Sequence, residues 1–324
     1  MTLTGTSHEP PADLDGPPDD LDEEIAKKIQ GRSTWQLAWF RLKRDRASMI
    51  SFAVIVVIVL VAVFAPVFSW ITGHGVYTQY RQTGLNEFGL PTGPGKTFIL
   101  GADDLGRDLL VQIAYGTRVS LIIGVVATLV TVFVGAVLGL AAGYLGGLVD
   151  TVIARLIDVV LSIPYLLFGI ALISARPFGI QQGYGIVITV IALFGWASVA
   201  RIVRGQVLSV REKEYIEAAR SLGASSWRIM FVDVLPNVTA QLIVYATLLI
   251  PVSIVTEAAL SFLGIGIPPP TPDWGRMLAR AETIYQQAWW FLVFPGLALL
   301  ITTLAFNILG DGVRDALDPR LERL

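Results

Sequence analysis

Cysteine is absent from the 324 residues, and histidine occurs only twice, at His8 and His74. The first absence excludes a disulfide framework, a thiol nucleophile and a thiolate metal site. Both histidines lie outside every long apolar run, which excludes an imidazole metal site or proton relay within a membrane. Charge is scarce as well. Charged residues make up 15% of the chain and hydrophobic residues 54%, with a mean hydropathy of +0.64. A soluble domain carries roughly 45–50% apolar and ~25% charged residues, so the composition reads as a polytopic membrane protein. The net charge of −2 averages an acidic N-terminal stretch with basic loops and points to no nucleic-acid partner. Lysine and arginine are missing from residues 1–24, where eight acidic residues run from Glu9 to Glu24. That is the reverse of a signal peptide's basic opening. Such a stretch buries too little apolar surface to offset its ordering entropy, and residues 1–32 are expected to form a disordered cytoplasmic tail.

What is abundant is apolar sequence in long runs. A helix needs ~20 apolar residues to cross ~30 Å of hydrocarbon. Six stretches qualify, near 49–71, 119–142, 152–174, 185–203, 238–263 and 289–309. An all-α chain of six spans is the expected fold. Placing both termini in the cytoplasm puts 17 of the 24 lysines and arginines on the inside, in keeping with the positive-inside rule. The cluster Arg41, Lys43, Arg44 and Arg46 directly before the first span is the strongest orientation signal. Residues 72–117 then form a long external loop, in which Phe98-Ile99-Leu100 reads as a short strand. Residues 204–237 form the large internal loop. No internal repeat is visible, so the inverted-repeat signature of many secondary transporters is not supported.

That internal loop is the most informative segment. Residues 212–222 read as one polar helix. Gly223 suits the left-handed position that ends a helix, Ser225 or Ser226 suits an N-cap, and a second helix follows to about Val234. Leu235-Pro236 marks entry to the fifth span. Ala218 and Ala219 present almost no bulk, so this face suits close approach to another surface. Glu217 lies within local ion-pair reach of Lys213 and Arg220.

Glu217-Ala218-Ala219, then Gly223, then Leu235-Pro236, set before the penultimate span, resembles the cytoplasmic coupling segment of an ATP-binding-cassette importer permease. One departure is Asp233, where the family commonly has Ile. Three further segments are similar to the second permease subunit of the dipeptide/oligopeptide/nickel importers: 100–108 (LGADDLGRD), 259–275 (ALSFLG to PPPTPDWG) and 307–320 (NILGDGVRD to LDPR). The resemblance implies the type I importer permease fold. It also implies a heterodimer with a related permease in the bacterial cell membrane, two ATPase subunits inside, a substrate-binding protein outside, and lipid around the spans. The function it implies is passage of short peptides by alternating access, with ATP hydrolysed by the partners and no catalytic residue, cofactor or metal in this chain. A nickel-chelate cargo is the alternative, and a secondary transporter a more distant one. The chain is expected to divide into the tail at 1–32, a first span with its external loop at 33–117, a permease core at 118–312, and a cytoplasmic C-terminal tail at 313–324.

Several residues invite sharper readings. Gly89-Leu90-Pro91-Thr92-Gly93-Pro94-Gly95-Lys96-Thr97 imitates a phosphate-binding loop, but five residues separate the first glycine from Gly-Lys-Thr where four are required. Gly135, Gly139, Gly143 and Gly147 recur every four residues, a spacing that lets helices approach closely. Packing within the subunit and against a partner both fit. Asp158 and Glu257 fall within spans, where ionisable residues face protein or an aqueous cavity. For Asp158 an ion pair with Arg155 is the first reading and a place in the pathway or at an interface the alternative; Glu257 is read as facing an interface or the pathway. Pro164, Pro251 and Pro295 each remove a helix hydrogen bond within a span.

Overall fold

The computed structural model describes residues 34–175 and 183–317. The expected tail at 1–32 and the Asp318-Pro319-Arg320 stretch lie outside them. Among the described residues every extended regular element is a helix; the only β pairings are two isolated bridges, Leu85 with Pro91 and Ala102 with Asp108. Phe98-Ile99-Leu100 is a bend and turn, not a strand. Phe98 is buried there, its ring stacked 4.8 Å from that of His74.

Helix α1 (Thr34–Arg44) meets α2 (Arg46–Val63) at Asp45, whose carboxylate accepts the backbone N–H groups of Ala47 and Ser48 at 3.2 and 3.0 Å. These satisfy orphan donors at a helix start. The hydrogen bonds from Ser48 hold the Asp45 carboxyl below its ordinary range. Helix α3 (Ala65–Thr72) continues the apolar run after a break, with Pro66 in its first turn. Helix α4 (Leu109–Leu145) has 37 residues and, at ~1.5 Å per residue, is longer than a ~30 Å hydrocarbon core requires. Helices α5 (Gly147–Ser162) and α6 (Tyr165–Ala175) follow, then α7 (Tyr184–Arg211) and α8 (Glu214–Ser221). Residues 226–234 run without interruption into α9 (Leu235–Phe262). Helices α10 (Trp274–Ala281) and α11 (Trp289–Leu317) complete the order.

Five helices are long and apolar enough to cross a membrane: α2, α4, α7, the continuous helix from Ser226 through α9, and α11. The expected third span is instead the pair α5 and α6, bent by 82°. Pro164 accounts for the break, because it has no N–H to donate and its ring disfavours the helical conformation for the preceding residue. Ile163 is extended, at φ −91° and ψ 124°. Pro251 and Pro295 remain inside α9 and α11.

Helix α4 is the axis of the bundle. It packs most extensively on α7, then on α9, and touches α2 on another side, while α11 lies against α9 and α2. The α4–α7 seam is close because Gly135, Gly139 and Gly143 face Val199, Val203 and Val207. An added Cβ at these glycines would lie 2.5, 2.7 and 2.7 Å from the respective valine Cβ atoms. The two ends of the bundle differ. One, the corner end, carries residues 212–234. The other, the loop end, carries residues 73–108 and 264–288.

Candidate functional site

At the corner end, Lys213 is extended and α8 begins at Glu214 with Glu214 and Glu217 in its first turn, where carboxylates favour the positive end of the helix dipole. Ile216 is fully buried and is the anchor of α8. It packs in a cluster with Leu140 and Tyr144 of α4, Val203 and Val207 of α7, and Ile229, Met230 and Val234. The helix stops at Leu222. Gly223 takes φ +82°, with open space where a Cβ would stand. Ser225 then caps the next helical turn, its hydroxyl accepting from the Arg228 N–H at 3.4 Å. Residues 229–234 are wound as a π-helix and lead into α9 at Leu235 and Pro236, whose nitrogen has no hydrogen to donate to the preceding turn. Pro236 starts no new element; one helix runs from Ser226 to Phe262.

The buried side of this corner is apolar and the other side is open. Glu217, Ala218 and Gly223 are exposed, and Leu222 and Trp227 are 88% and 69% exposed. Trp227 stacks on Phe231 with ring centroids 5.3 Å apart. Beneath α8 is a polar recess of about 610 Å³ lined by Glu217 and Arg220 together with Tyr144, Arg211 and Glu212. Glu217 makes no ion pair with Lys213 or Arg220; the Arg220 guanidinium lies 6.0 Å from the Tyr144 ring centre instead. Arg211 donates to the Gly143 carbonyl at 3.1 Å and so ties the end of α7 to the end of α4.

The loop end is built around two carboxylates. Asp108 caps α4, accepting from Leu110 N–H at 2.9 Å, and lies 2.6 Å from His74 Nδ1. Asp103 accepts from the backbone N–H groups of Leu105 and Arg107 and from Arg107 Nε, which explains the Asp-x-x-x-Arg spacing of the segment as a closed turn. Beside it Asp104 pairs with Arg280 at 2.5 Å; burial pushes the Asp104 carboxyl above its ordinary range, against the pull of Arg280. Helix α10 wedges between α4 and α9. The Trp274 indole N–H donates to the Ile113 carbonyl at 3.2 Å, and a Cβ on Gly275 would lie 2.1 Å from the Ala258 carbonyl oxygen. Asp273 caps α10, and Ser261 of α9 bridges Asp273 and Glu257.

Glu257 is wholly buried within the subunit. Its carboxyl accepts from Ser120 of α4 at 3.0 Å and from Ser261 at 3.1 Å. Asp158 is exposed and pairs with Arg201 of α7 at 2.8 Å, not with Arg155: across the α5–α7 contact, Arg201 is the guanidinium within reach. Gly147 departs from the other three glycines of its series. It has φ +56° and nothing within 4 Å of a notional Cβ, so it serves the turn between α4 and α5 and not a packing seam. The Gly89–Thr97 segment is followed by bends, and the next extended helix begins only at Leu109, so no helix N-terminus faces Lys96. Among the described residues no group of three or more His, Asp or Glu could hold a metal ion. The residues missed from sequence are Ile216, the one strongly apolar position inside an otherwise polar octapeptide, and Tyr144 and Arg211, which carry no local signal.

Two family profiles match the chain. That of the binding-protein-dependent transport system inner membrane component covers residues 135–323, which include the whole corner. That of the N-terminal TM domain of oligopeptide transport permease C covers residues 33–86. Similar proteins include the oligopeptide transport system permease protein OppC of Bacillus subtilis, 37% identical over 93% of this chain and 94% of its own length. The dipeptide transport system permease protein DppC of the same organism is 39% identical over 93% of this chain and 90% of its own. The glutathione transport system permease protein GsiD of Pectobacterium atrosepticum is 38% identical over 90% and 93%.

Proposed function

This chain belongs to the family of binding-protein-dependent transport system inner membrane components, in its C-type dipeptide/oligopeptide permease branch, and from that premise we propose that it forms half of a peptide passage driven by ATPases docked at the corner end. A second, related permease supplies the other half, and a substrate-binding protein delivers cargo at the loop end. The corner end then faces the cytoplasm, as the excess of lysine and arginine on that side favours. The names of the relatives speak for peptide cargo over chelated nickel.

The observation that carries this reading is the corner itself. Helix α8 is fixed to three other elements through Ile216, yet it turns Glu217 and Ala218 away from the chain's own core, as the corner after it does Leu222 and Trp227. A short helix held rigidly below and left open above suits a contact that transmits force. When the ATPases close on ATP, the corner moves with them, and the helix that begins at Ser226 carries the motion into the membrane. The passage switches from inward-open to outward-open, and hydrolysis resets it.

Two substitutions test this. Gly223→Arg forces a side chain into the left-handed region at a cost of ~1–2 kcal/mol and places a long cation on the open face. Glu217→Lys reverses a charge on that face without touching Ile216. Both variants are expected to insert and to pair with the second permease, but to lose co-purification of the ATPases or the stimulation of hydrolysis by loaded binding protein. Retention of docking and of stimulated hydrolysis at wild-type levels in both variants removes the corner from the mechanism.

A further inference from the structure

Where α5 breaks from α6 the bundle opens into a cavity of about 270 Å³. Tyr165 stands beside the break, Thr131 comes from α4, Gly195 and Ser198 from α7, and Ser253 and Thr256 from α9. No charged side chain lines it among the described residues. Thr131 and Ser198 lie near the midpoints of their helices, so the cavity sits about midway between the corner end and the loop end.

Thr131 is the informative residue. A threonine within a helix commonly returns its hydroxyl to the carbonyl four residues earlier. Thr117, Thr189, Thr239, Thr256 and Thr302 all do so here, at 2.7–2.9 Å. Thr128 shares its hydroxyl with Ser253 at 2.9 Å. Thr131 is 3% exposed, and its hydroxyl is the only buried threonine hydroxyl without a partner among the described residues. Native proteins rarely leave such a group unsatisfied without a use for it. Gly195 makes the position possible, since a Cβ there would lie 2.7 Å from the Thr131 methyl.

A hydroxyl carries one donor and two acceptor positions. Thr131 has its donor free for a carbonyl. Thr256 has spent its donor on Val252 but keeps lone pairs for an N–H. Ser198 is exposed on the wall and offers both. One N–H and one C=O make up every peptide unit but those to proline, whatever the side chain. An acyl chain of a lipid offers neither. We propose that this cavity is the subunit's cargo subsite, in which Thr131, Ser198 and Thr256 hold the backbone amides of a peptide in transit. The proposal rests on the peptide-importer reading and adds the place and chemistry of contact. Val252 and Tyr165 on its rim are 55% and 39% exposed, leaving a side for the facing permease to complete. The volume falls just below the ~300–1,000 Å³ of closed ligand sites, as expected of a half-site. Neutral hydroxyls read the backbone alone, so the subsite passes peptides of varied sequence.

The test uses the complete transporter in proteoliposomes, with a mixture of alanine peptides of two to five residues as probe. Thr131→Val removes the hydroxyl and keeps the shape; Thr131→Ser keeps the hydroxyl. Thr131→Val is expected to lower maximal uptake about three- to ten-fold, the worth of one neutral hydrogen bond, and Thr131→Ser to restore it. Hydrolysis stimulated by loaded binding protein is expected to remain at wild-type level in both, which separates this site from the corner. The chain has no cysteine, so Ser198→Cys introduces its sole thiol. Alkylation of that thiol is expected to slow when the peptides are added during turnover. Leu129→Cys, on the opposite face of α4 from Thr131, is expected to be alkylated at an unchanged rate. Wild-type uptake by Thr131→Val, or alkylation of Ser198→Cys that ignores the peptides, overturns the subsite and leaves the importer reading standing. Failure of the wild-type complex to import any of the peptides overturns the importer reading itself.

Discussion

At Glu257 a single serine hydroxyl is shared between two carboxyl groups. Ser261 has one hydrogen, and it faces both Glu257 and Asp273, so it donates to one at a time. Replacing Glu257 by leucine leaves the hydroxyl of Ser120 without its buried partner, at about 1–3 kcal/mol for an unmet group, while Ser261 keeps Asp273. Glutamine keeps an acceptor for Ser120. Uptake and thermal stability of the purified complex are therefore expected to fall further in Glu257→Leu than in Glu257→Gln; equal behaviour of the two would reduce Glu257 to a filler of volume. Asp104 gives a second prediction with a defined sign. Its carboxyl titrates above its unfolded range, so its contribution to stability is fully present below the ordinary aspartate range and is lost as pH rises through the raised one. Asp104→Asn removes this dependence. The stability of wild type relative to the variant, measured by thermal unfolding at a series of pH values, is expected to decline as pH rises. A difference that grows with pH would show Arg280 to outweigh burial.

Among the elements, the α4–α7 seam is close at three successive glycines, Gly135, Gly139 and Gly143. At Gly139 a Cβ would lie 2.7 Å from both the Ala200 carbonyl oxygen and the Val203 Cβ. Gly139→Leu is expected to push the two helices apart, at ~1–3 kcal/mol or more for overpacking. The measurement is the unfolding midpoint of the complex, with Gly205→Ala in α7 as comparison, where nothing lies within 4 Å of an added Cβ. The glycine series was legible in the sequence as a close-approach motif, because a period of four is a property of one helix. Its partner, the valines of α7, was not, because the two series lie some sixty positions apart. The same division runs through the rest. Gly223 and Ser225 announced a corner through local backbone chemistry, and Pro164 announced a weak point in its helix. Neither could announce an 82° bend, which depends on what receives the two arms. Arg201 reached Asp158 across helices, and Thr131 is notable only for a partner it lacks. Pairing and its absence are tertiary facts, to which a period along one chain is blind.

For the whole molecule, the two ends have separate chemistries. Lys96 belongs to the loop end, on an exposed bend without a helix behind it. Lys96→Ala is expected to leave ATP hydrolysis and uptake of the assembled complex at wild-type level; loss of nucleotide binding with assembly intact would reverse that expectation. The ends are joined by a second helix of α4's length. The helix from Ser226 to Phe262 has 37 residues, about 55 Å at ~1.5 Å per residue, and it starts beside the exposed Trp227 and finishes just past the Glu257–Ser261 cluster. Such a strut behaves as a balance beam. Turned by ~10° about its middle, it carries its tips roughly 5 Å each in opposite directions, so a push inward at one tip is an outward swing at the other. A passage that must never be open at both sides at once needs that antiphase, and in the proposed mechanism a rigid turn of this one helix would supply it by geometry.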